Sequence, residues 1–230
     1  MNLEHKTVVI VGGSQGIGRA IAKLLVERNS KVVIVSRREE SAQTAARELN
    51  CSYKVADVRD EACLRTVADE IAAEYGSIDL WLNSAGVFKA FPKDDLIDKD
   101  RSLELLETNF MGVVYGTRSA MRQLSDDGLI VTILSSAALD ASRAVGAKLY
   151  AASKWAVRGW IDAFRGENPD FAKRMIGVYP GGTKTHLHDE ALPDAFDDFM
   201  DASYVAEKIV SNLELDEPEQ DQVIRRPTVQ

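Results

Sequence analysis

Thr7-Val8-Val9-Ile10-Val11, followed by Gly12-Gly13-Ser14-Gln15-Gly16-Ile17-Gly18 and then by Arg19-Ala20-Ile21-Ala22-Lys23-Leu24-Leu25, decides how the rest of the chain is read. The first five residues are mostly apolar and β-branched, which suits a strand buried on both faces. Ile17, Ala20, Ile21, Leu24 and Leu25 then recur at helical spacing. The glycines therefore lie between a strand and a helix. Gly12 permits the tight turn, Gly16 lets a pyrophosphate approach the backbone, and Gly18 lets the helix lie close to the sheet. The free N–H groups and the positive dipole end at the helix start suit phosphates, so Ser14, Gln15 and Ile17 join the glycines as candidate contacts. The spacing is Gly-x-x-x-Gly-x-Gly, not the commoner Gly-x-Gly-x-x-Gly. A turn that binds nothing is the plain alternative, and the flanking strand and helix weigh against it.

The next apolar strand, Val32 to Val35, ends in Ser36-Arg37-Arg38. An acid at this strand end grips a ribose 2′-hydroxyl, whereas an arginine accommodates a 2′-phosphate. Arg37 predicts NADP(H) over NAD(H). NAD(H) is the alternative if Arg37 and Arg38 only solvate the loop and Glu39 or Glu40 takes the ribose.

A second, independent pattern is Tyr150-Ala151-Ala152-Ser153-Lys154, with Ser135 and Ser136 upstream. Residues i and i+4 share a helix face. A tyrosine is a poor acid or base at neutral pH, and a neighbouring ammonium is expected to lower its pKa into a usable range. A serine hydroxyl nearby can hold a carbonyl or alcohol oxygen. Alone, a Tyr and a Lys at this spacing is an ordinary solvated helix face; together with the glycine turn it points to proton transfer beside a dinucleotide.

With both patterns in view, the chain resembles the short-chain dehydrogenase/reductase family, over Lys6 to Pro227. Further motifs stand in the family's order. Asp57-Val58 matches its adenine-contacting acid, and Asn83-Ser84-Ala85-Gly86 looks like its Asn-Asn-Ala-Gly motif. Asn109 falls at its helix asparagine, Ser136, Tyr150 and Lys154 at its catalytic positions. Pro180-Gly181, with Thr183 and Thr185, matches the segment flanking the nicotinamide. Val11 and Ser84 depart from the family's threonine and second asparagine. The gap from Ser136 to Tyr150 is one residue longer than usual, which leaves Ser135 as the alternative to Ser136 for facing the substrate.

The resemblance implies hydride transfer between NADP(H) and a carbonyl or secondary alcohol. Ser136 would hold the substrate oxygen and Tyr150 would move the proton. Lys154 would tune Tyr150 and bind the nicotinamide ribose, and Asn109 would hold a water. Asp57, Val58, Asn83, Ala85, Gly86, Pro180, Gly181, Thr183 and Thr185 would contact the cofactor. It also implies a homodimer or homotetramer. A dinucleotide sensor without turnover is the other class of reading, although such sensors usually lack the tyrosine or lysine. A sugar-nucleotide epimerase would share the Tyr–Lys pair but carries a longer C-terminal substrate domain.

Strand and helix patterns alternate along the chain, which predicts an α/β, Rossmann-like doubly wound parallel sheet of about seven strands with helices on both faces. Helices are expected over 39–49, 60–75, 103–124, 150–164 and 204–213, and a fifth strand over 129–134. Ligands of such sheets lie at the carboxyl ends of the strands, where Gly12, Asp57, Asn83 and Ser136 fall. The expected organisation is one dinucleotide-binding domain over 1–230, with a small lid at about 186–203. The substrate pocket is expected between 137–145, 88–92 and the segment after Thr185. The 230 residues are 45% hydrophobic and 28% charged, with a net charge of −8, ordinary values for a globular protein. The acidic balance argues against nucleic acid. No apolar run reaches the length of a membrane span, so a cytoplasmic protein without membrane partners is expected. Cys51 and Cys63 make no disulfide framework. His186-Leu187-His188 lacks further ligands, so no metal is expected.

Overall fold

Apolar residues fill β1 (Thr7–Val11) from end to end, and all five of its residues are buried. In the computed structural model, which describes residues 1–89, 98–144, 146–189, 192–193 and 195–227, this strand lies at the centre of a parallel sheet. The other strands of the sheet are β2 (Lys31–Ser36), β3 (Ser52–Val55), β4 (Ile78–Asn83), β5 (Leu124–Ile133), β6 (Met175–Pro180) and β9 (Asp221–Ile224), with β1 paired to β2 and β4. The seven strands run in the order β3-β2-β1-β4-β5-β6-β9, every pairing parallel. This is the Rossmann-like, doubly wound α/β sheet expected from the alternation of patterns.

Strand side chains alternate between the two faces, and the two hydrophobic cores show it. Val8 and Ile10 enter one core with Leu80 and Leu82. Val9 and Val11 enter the other with Trp81. The first core is closed by α1 (Gly16–Glu27), α2 (Glu39–Leu49) and α8 (Ala202–Leu213), through Ile21, Leu25, Leu49, Val205 and Leu213. The second is closed by α3 (Glu61–Tyr75), α5 (Gly112–Met121) and α6 (Lys148–Glu167), through Leu64, Ile71, Val113, Val157 and Ile161. Chain direction across the sheet reverses between β1 and β4. The crevice above the strand ends at that switch is where such sheets take ligands.

The expected helix over 103–124 is divided. It comprises α4 (Lys99–Leu106), a π-helical turn at Glu107–Met111, and α5. A π turn inserts one extra residue per turn and re-aims the side chains inside it; Asn109 is one of them. Strand β5 starts at Leu124, earlier than the expected 129, because exposed Asp126 and Asp127 extend a strand that the aspartates disguised as a turn. Two elements had no sequence signal: the four-residue helix α7 (Pro169–Ala172), and a two-stranded sheet of β7 (Thr183–Lys184) and β8 (Met200–Asp201) across the base of the expected lid. Of the expected pocket, 90–92 and Val145 lie outside the described residues, as do Glu190, Ala191 and Asp194 of the lid and the side chains of Arg143 and His188. Among the described residues no helix is long and apolar enough to cross a membrane.

Candidate active site

The glycine turn is built from backbone in close contact. Gly12 has φ +86°, and a Cβ there would lie 2.5 Å from the Ala85 nitrogen; at Gly18 a Cβ would lie 2.4 Å from the Gly12 oxygen. Only hydrogen fits at either place. Gly12 N–H donates to the Val35 carbonyl (2.8 Å), which closes the turn onto β2. Gln15 is the extended residue before α1, whose first N–H groups point into the open. Ser14 and Ser36 share a hydroxyl hydrogen bond of 2.9 Å. Ile17 does not face the crevice freely; it packs on the first core. A cleft of about 1060 Å³ borders Ser14, Gln15, Gly16 and Thr185, with Arg38 and Lys184 also on its lining. Ser135, Tyr150 and Lys154 do not line it.

The catalytic wall is built from side chains. Helix α6 carries Tyr150 and Lys154 on one face, with the Lys154 Nζ 5.8 Å from the tyrosine ring centroid. The ammonium is buried and donates to the Ile133 carbonyl at the end of β5 (3.0 Å). The Ser135 hydroxyl is the side chain that acts on the Tyr150 phenol and favours its ionised form, and Phe88 meets its ring edge-on at 5.4 Å between centroids. Burial pushes the phenol up to about 12, against the smaller downward effect of Ser135. Burial alone pushes the lysine down to about 8. The expected lowering of the tyrosine pKa by the ammonium is not what this site shows: desolvation is the largest effect on the half-buried phenol, and Ser135 is what opposes it.

The sequence favours Ser136 and leaves Ser135 as the alternative; of the two, Ser135 is the one that acts on Tyr150. Sheet pairing of β5 runs through Leu134, whose N–H donates to the Val178 carbonyl. Ser135 follows in extended conformation and N-caps a short 3-10 turn, its Oγ accepting from Ala137 N–H (3.1 Å). Ser136 is already the first residue of that turn. Arg158 on α6 holds the turn through the Ala138 carbonyl (2.9 Å).

Asn109 is 0% exposed. Its Oδ1 accepts from Val87 N–H (2.8 Å), and its Nδ2 donates to the Val87 carbonyl (2.9 Å) and to Ser153 Oγ (3.2 Å). Ser153 in turn donates to the Tyr150 carbonyl (2.7 Å). The Asn109 side chain is therefore a clamp between the β4 loop and α6. Asn83 is likewise turned away from the crevice. Its amide is spent on Trp81 Nε1 (2.9 Å), Thr117 (3.2 Å) and Thr132 (3.4 Å), so its side chain braces the sheet.

Other expected contacts lie at the rim. Asp57 takes Arg59 on both carboxylate oxygens, the shortest bond 2.6 Å, and those bonds hold its pKa below the usual range. Val58 is buried under Gly112, where a Cβ would lie 2.9 Å from the valine. Pro180 ends β6, and Gly181 N–H bonds the Ile224 carbonyl (2.9 Å). Thr183 donates to the Gly181 carbonyl (2.9 Å), which leaves Thr185 as the residue of this segment that faces the glycine turn: a Cβ on Gly16 would lie 3.3 Å from its methyl. Among the described residues no group of three or more His, Cys, Asp or Glu could hold a metal; His186 instead pairs with Asp189 at 3.1 Å.

The loop after β4 joins cradle and wall. Ala85 presses on Gly12, and a Cβ on Gly86 would lie 3.4 Å from Asn109 Oδ1 and 3.9 Å from the Lys154 Nζ. The sequence model of the short chain dehydrogenase family matches residues 6–195. The chain belongs to this family. Like the other short-chain dehydrogenases it is an oxidoreductase. It is 31% identical over 197 residues to the uncharacterized oxidoreductase YxnA of Bacillus subtilis (strain 168), covering 82% of this chain but 55% of that one. It is 31% identical over 201 residues to the 3-oxoacyl-(acyl-carrier-protein) reductase FabG of Escherichia coli (strain K12), covering 84% and 80%. A short chain dehydrogenase from Burkholderia cenocepacia J2315, solved in complex with NADP, superposes with a TM-score of 0.83 at 28% identity over 97% of this chain and 98% of that one.

Phe88, expected in the pocket segment 88–92, does pack on Tyr150. Arg59, Ser153 and Glu104, which meets Arg37 at 3.7 Å, take part in the site without having been singled out in the sequence. Arg59 and Ser153 carried a signal, since each flanks a recognised motif residue; Glu104 carried none, because tertiary packing alone brings it there.

Proposed function

We propose that the chain reduces a small carbonyl compound to a secondary alcohol, or catalyses the reverse, with NADP(H) in preference to NAD(H). One observation carries the reading: Tyr150, beside Ser135 and backed by Lys154, stands across the single loop Ser84-Ala85-Gly86 from the glycine cradle. The glycine turn fits a dinucleotide because contacts of 2.4–2.5 Å leave no room for side chains and expose backbone N–H groups at a helix start. Bound NADPH supplies the hydride. Ser135 holds the substrate oxygen, and Tyr150 gives it a proton in reduction and takes one in oxidation. Lys154 stabilises the phenolate that reduction leaves behind. Thr185 and the backbone after Pro180 hold the carboxamide end, and Arg37 meets the 2′-phosphate. The NADP complex of the Burkholderia relative supports the cofactor choice. The same reading takes the chain as a homodimer or homotetramer, supported by exposed Leu103, Met121 and Trp155 on or beside α4, α5 and α6.

The test is NADPH and NADH oxidation against a panel of aldehydes, ketones and 3-oxoacyl thioesters. Turnover with higher kcat/KM for NADPH is expected. Silence across the panel despite measurable NADPH binding contradicts the catalytic reading, and preference for NADH contradicts the cofactor assignment.

A further inference from the structure

Glu104 lies on α4, outside every motif of the site, yet its carboxylate spans the site's rim. Oε1 faces the Arg37 guanidinium at 3.7 Å, and Oε2 meets the Lys89 ammonium at 3.2 Å. The two contacts are unequal. Lys89 is 13% exposed and Arg37 is 52% exposed. The carboxylate is therefore anchored from behind by the more buried cation, and it touches Arg37 only as a loose, solvent-facing pair. Of the other rim cations, Arg59 is held by both oxygens of Asp57, whereas Arg38 lines the cleft beside Ser14 and Gly16. Arg59 also feels the negative charge of Glu104 and Glu107 after that of Asp57, which places Glu104 within the field of the ribose rim.

We propose that Glu104 is a specificity-determining residue: it competes with a 2′-phosphate for Arg37 and so narrows the margin by which the chain favours NADP(H) over NAD(H). A phosphate that approaches Arg37 must displace the loose carboxylate contact, and Lys89 keeps that carboxylate close enough to repel it. A ribose 2′-hydroxyl carries no charge and meets neither penalty. Glu104 thus acts on one cofactor and is silent toward the other. The inference rests on the reading of Arg37 as the partner of the 2′-phosphate.

The test uses two fragments, adenosine 2′,5′-bisphosphate and adenosine 5′-monophosphate, titrated calorimetrically into the whole chain. Glu104→Gln keeps the shape and removes the charge. It is expected to tighten the bisphosphate about two- to fivefold, the range that exposed ion pairs span, and to leave the monophosphate unchanged. The gain shrinks at high salt and vanishes when Arg37→Ala is already present. No selective gain, an equal gain for both fragments, or a gain that survives in the Arg37→Ala background overturns the proposal. Should the loss of a partner for Lys89 prevent folding, Glu104→Asp withdraws the carboxylate from Arg37 while keeping the charge, and a smaller selective gain is expected; its absence is equally decisive. Failure of the underlying cofactor reading shows separately, as wild-type protein that binds the two fragments alike.

Discussion

The cradle at β1–α1 and the wall at β5–α6 face the same crevice but are made of different material. The cradle is backbone: its glycines are required because atoms 2.4–2.5 Å away would strike any side chain. The wall is side chains: a phenol, a hydroxyl and an ammonium held by burial and by bonds to the Ile133 and Tyr150 carbonyls. The difference teaches where each region is vulnerable. Adding a single methyl to the cradle is expected to break the fold along with the site. Removing a single oxygen from the wall is expected to leave the fold and to break only the proposed chemistry.

That contrast is broken most easily at Gly12. Gly12→Ala forces a side chain into φ +86° and against the Ala85 nitrogen at 2.5 Å. A loss of about 3–5 kcal/mol of stability is expected, at the upper end for single substitutions, together with loss of dinucleotide binding. Urea midpoints and fluorescence titration with NADPH measure both; a stable variant that binds normally would show the cradle to be soft.

The wall is tested by its serines. Ser135→Ala is expected to lower kcat/KM on the order of 10²-fold, the loss typical of a donor aimed at a reacting oxygen. Its urea midpoint should stay near that of wild type. Ser136→Ala is expected to keep activity within about threefold, since that hydroxyl stands in for no such donor. Equal effects, or the reverse order, would return the role to Ser136.

The smallest effect sharpens the comparison from the stability side. Lys154 sits at about 8 in the folded chain, below its ordinary 10.5. Between those values the unfolded chain holds the extra proton, so stability from this group rises with pH across the window, and the cost of burying the ammonium is present in full below it. Lys154→Met removes that cost and forfeits the bond to the Ile133 carbonyl. A net gain of about 1–2 kcal/mol is expected at pH 7, fading toward pH 10. Urea unfolding at both pH values reads it, and a variant that is less stable at pH 7 would show that the ammonium holds the wall together.

The two regions also differ in how far the sequence reveals them. The cradle was legible residue by residue, because glycine spacing between a strand and a helix dictates a backbone path, and β1 falls where its apolar run does. The parallel sheet covered on both faces follows from the same alternation; its strand order is shown by the folded chain. The wall was legible in composition but not in aim. Whether Ser135 or Ser136 faces Tyr150 depends on where β5 leaves its partner β6, at Leu134, and no local pattern marks that point. Asn109 was found as a motif residue, yet its clamp on Val87 needs a π turn that periodicity presents as plain helix. Glu104 reaches Arg37 and Lys89 from three separate elements, a meeting that only the folded chain can show.

The most direct measurement is steady-state turnover of Tyr150→Phe beside its NADPH dissociation constant, with any carbonyl substrate that the wild type reduces. Removing one phenolic oxygen is expected to cut kcat by about 10²–10⁴-fold while the dissociation constant stays within about threefold, since the cradle is untouched. Turnover retained in full, or NADPH binding lost together with turnover, would contradict a site in which backbone holds the dinucleotide and Tyr150 moves the proton.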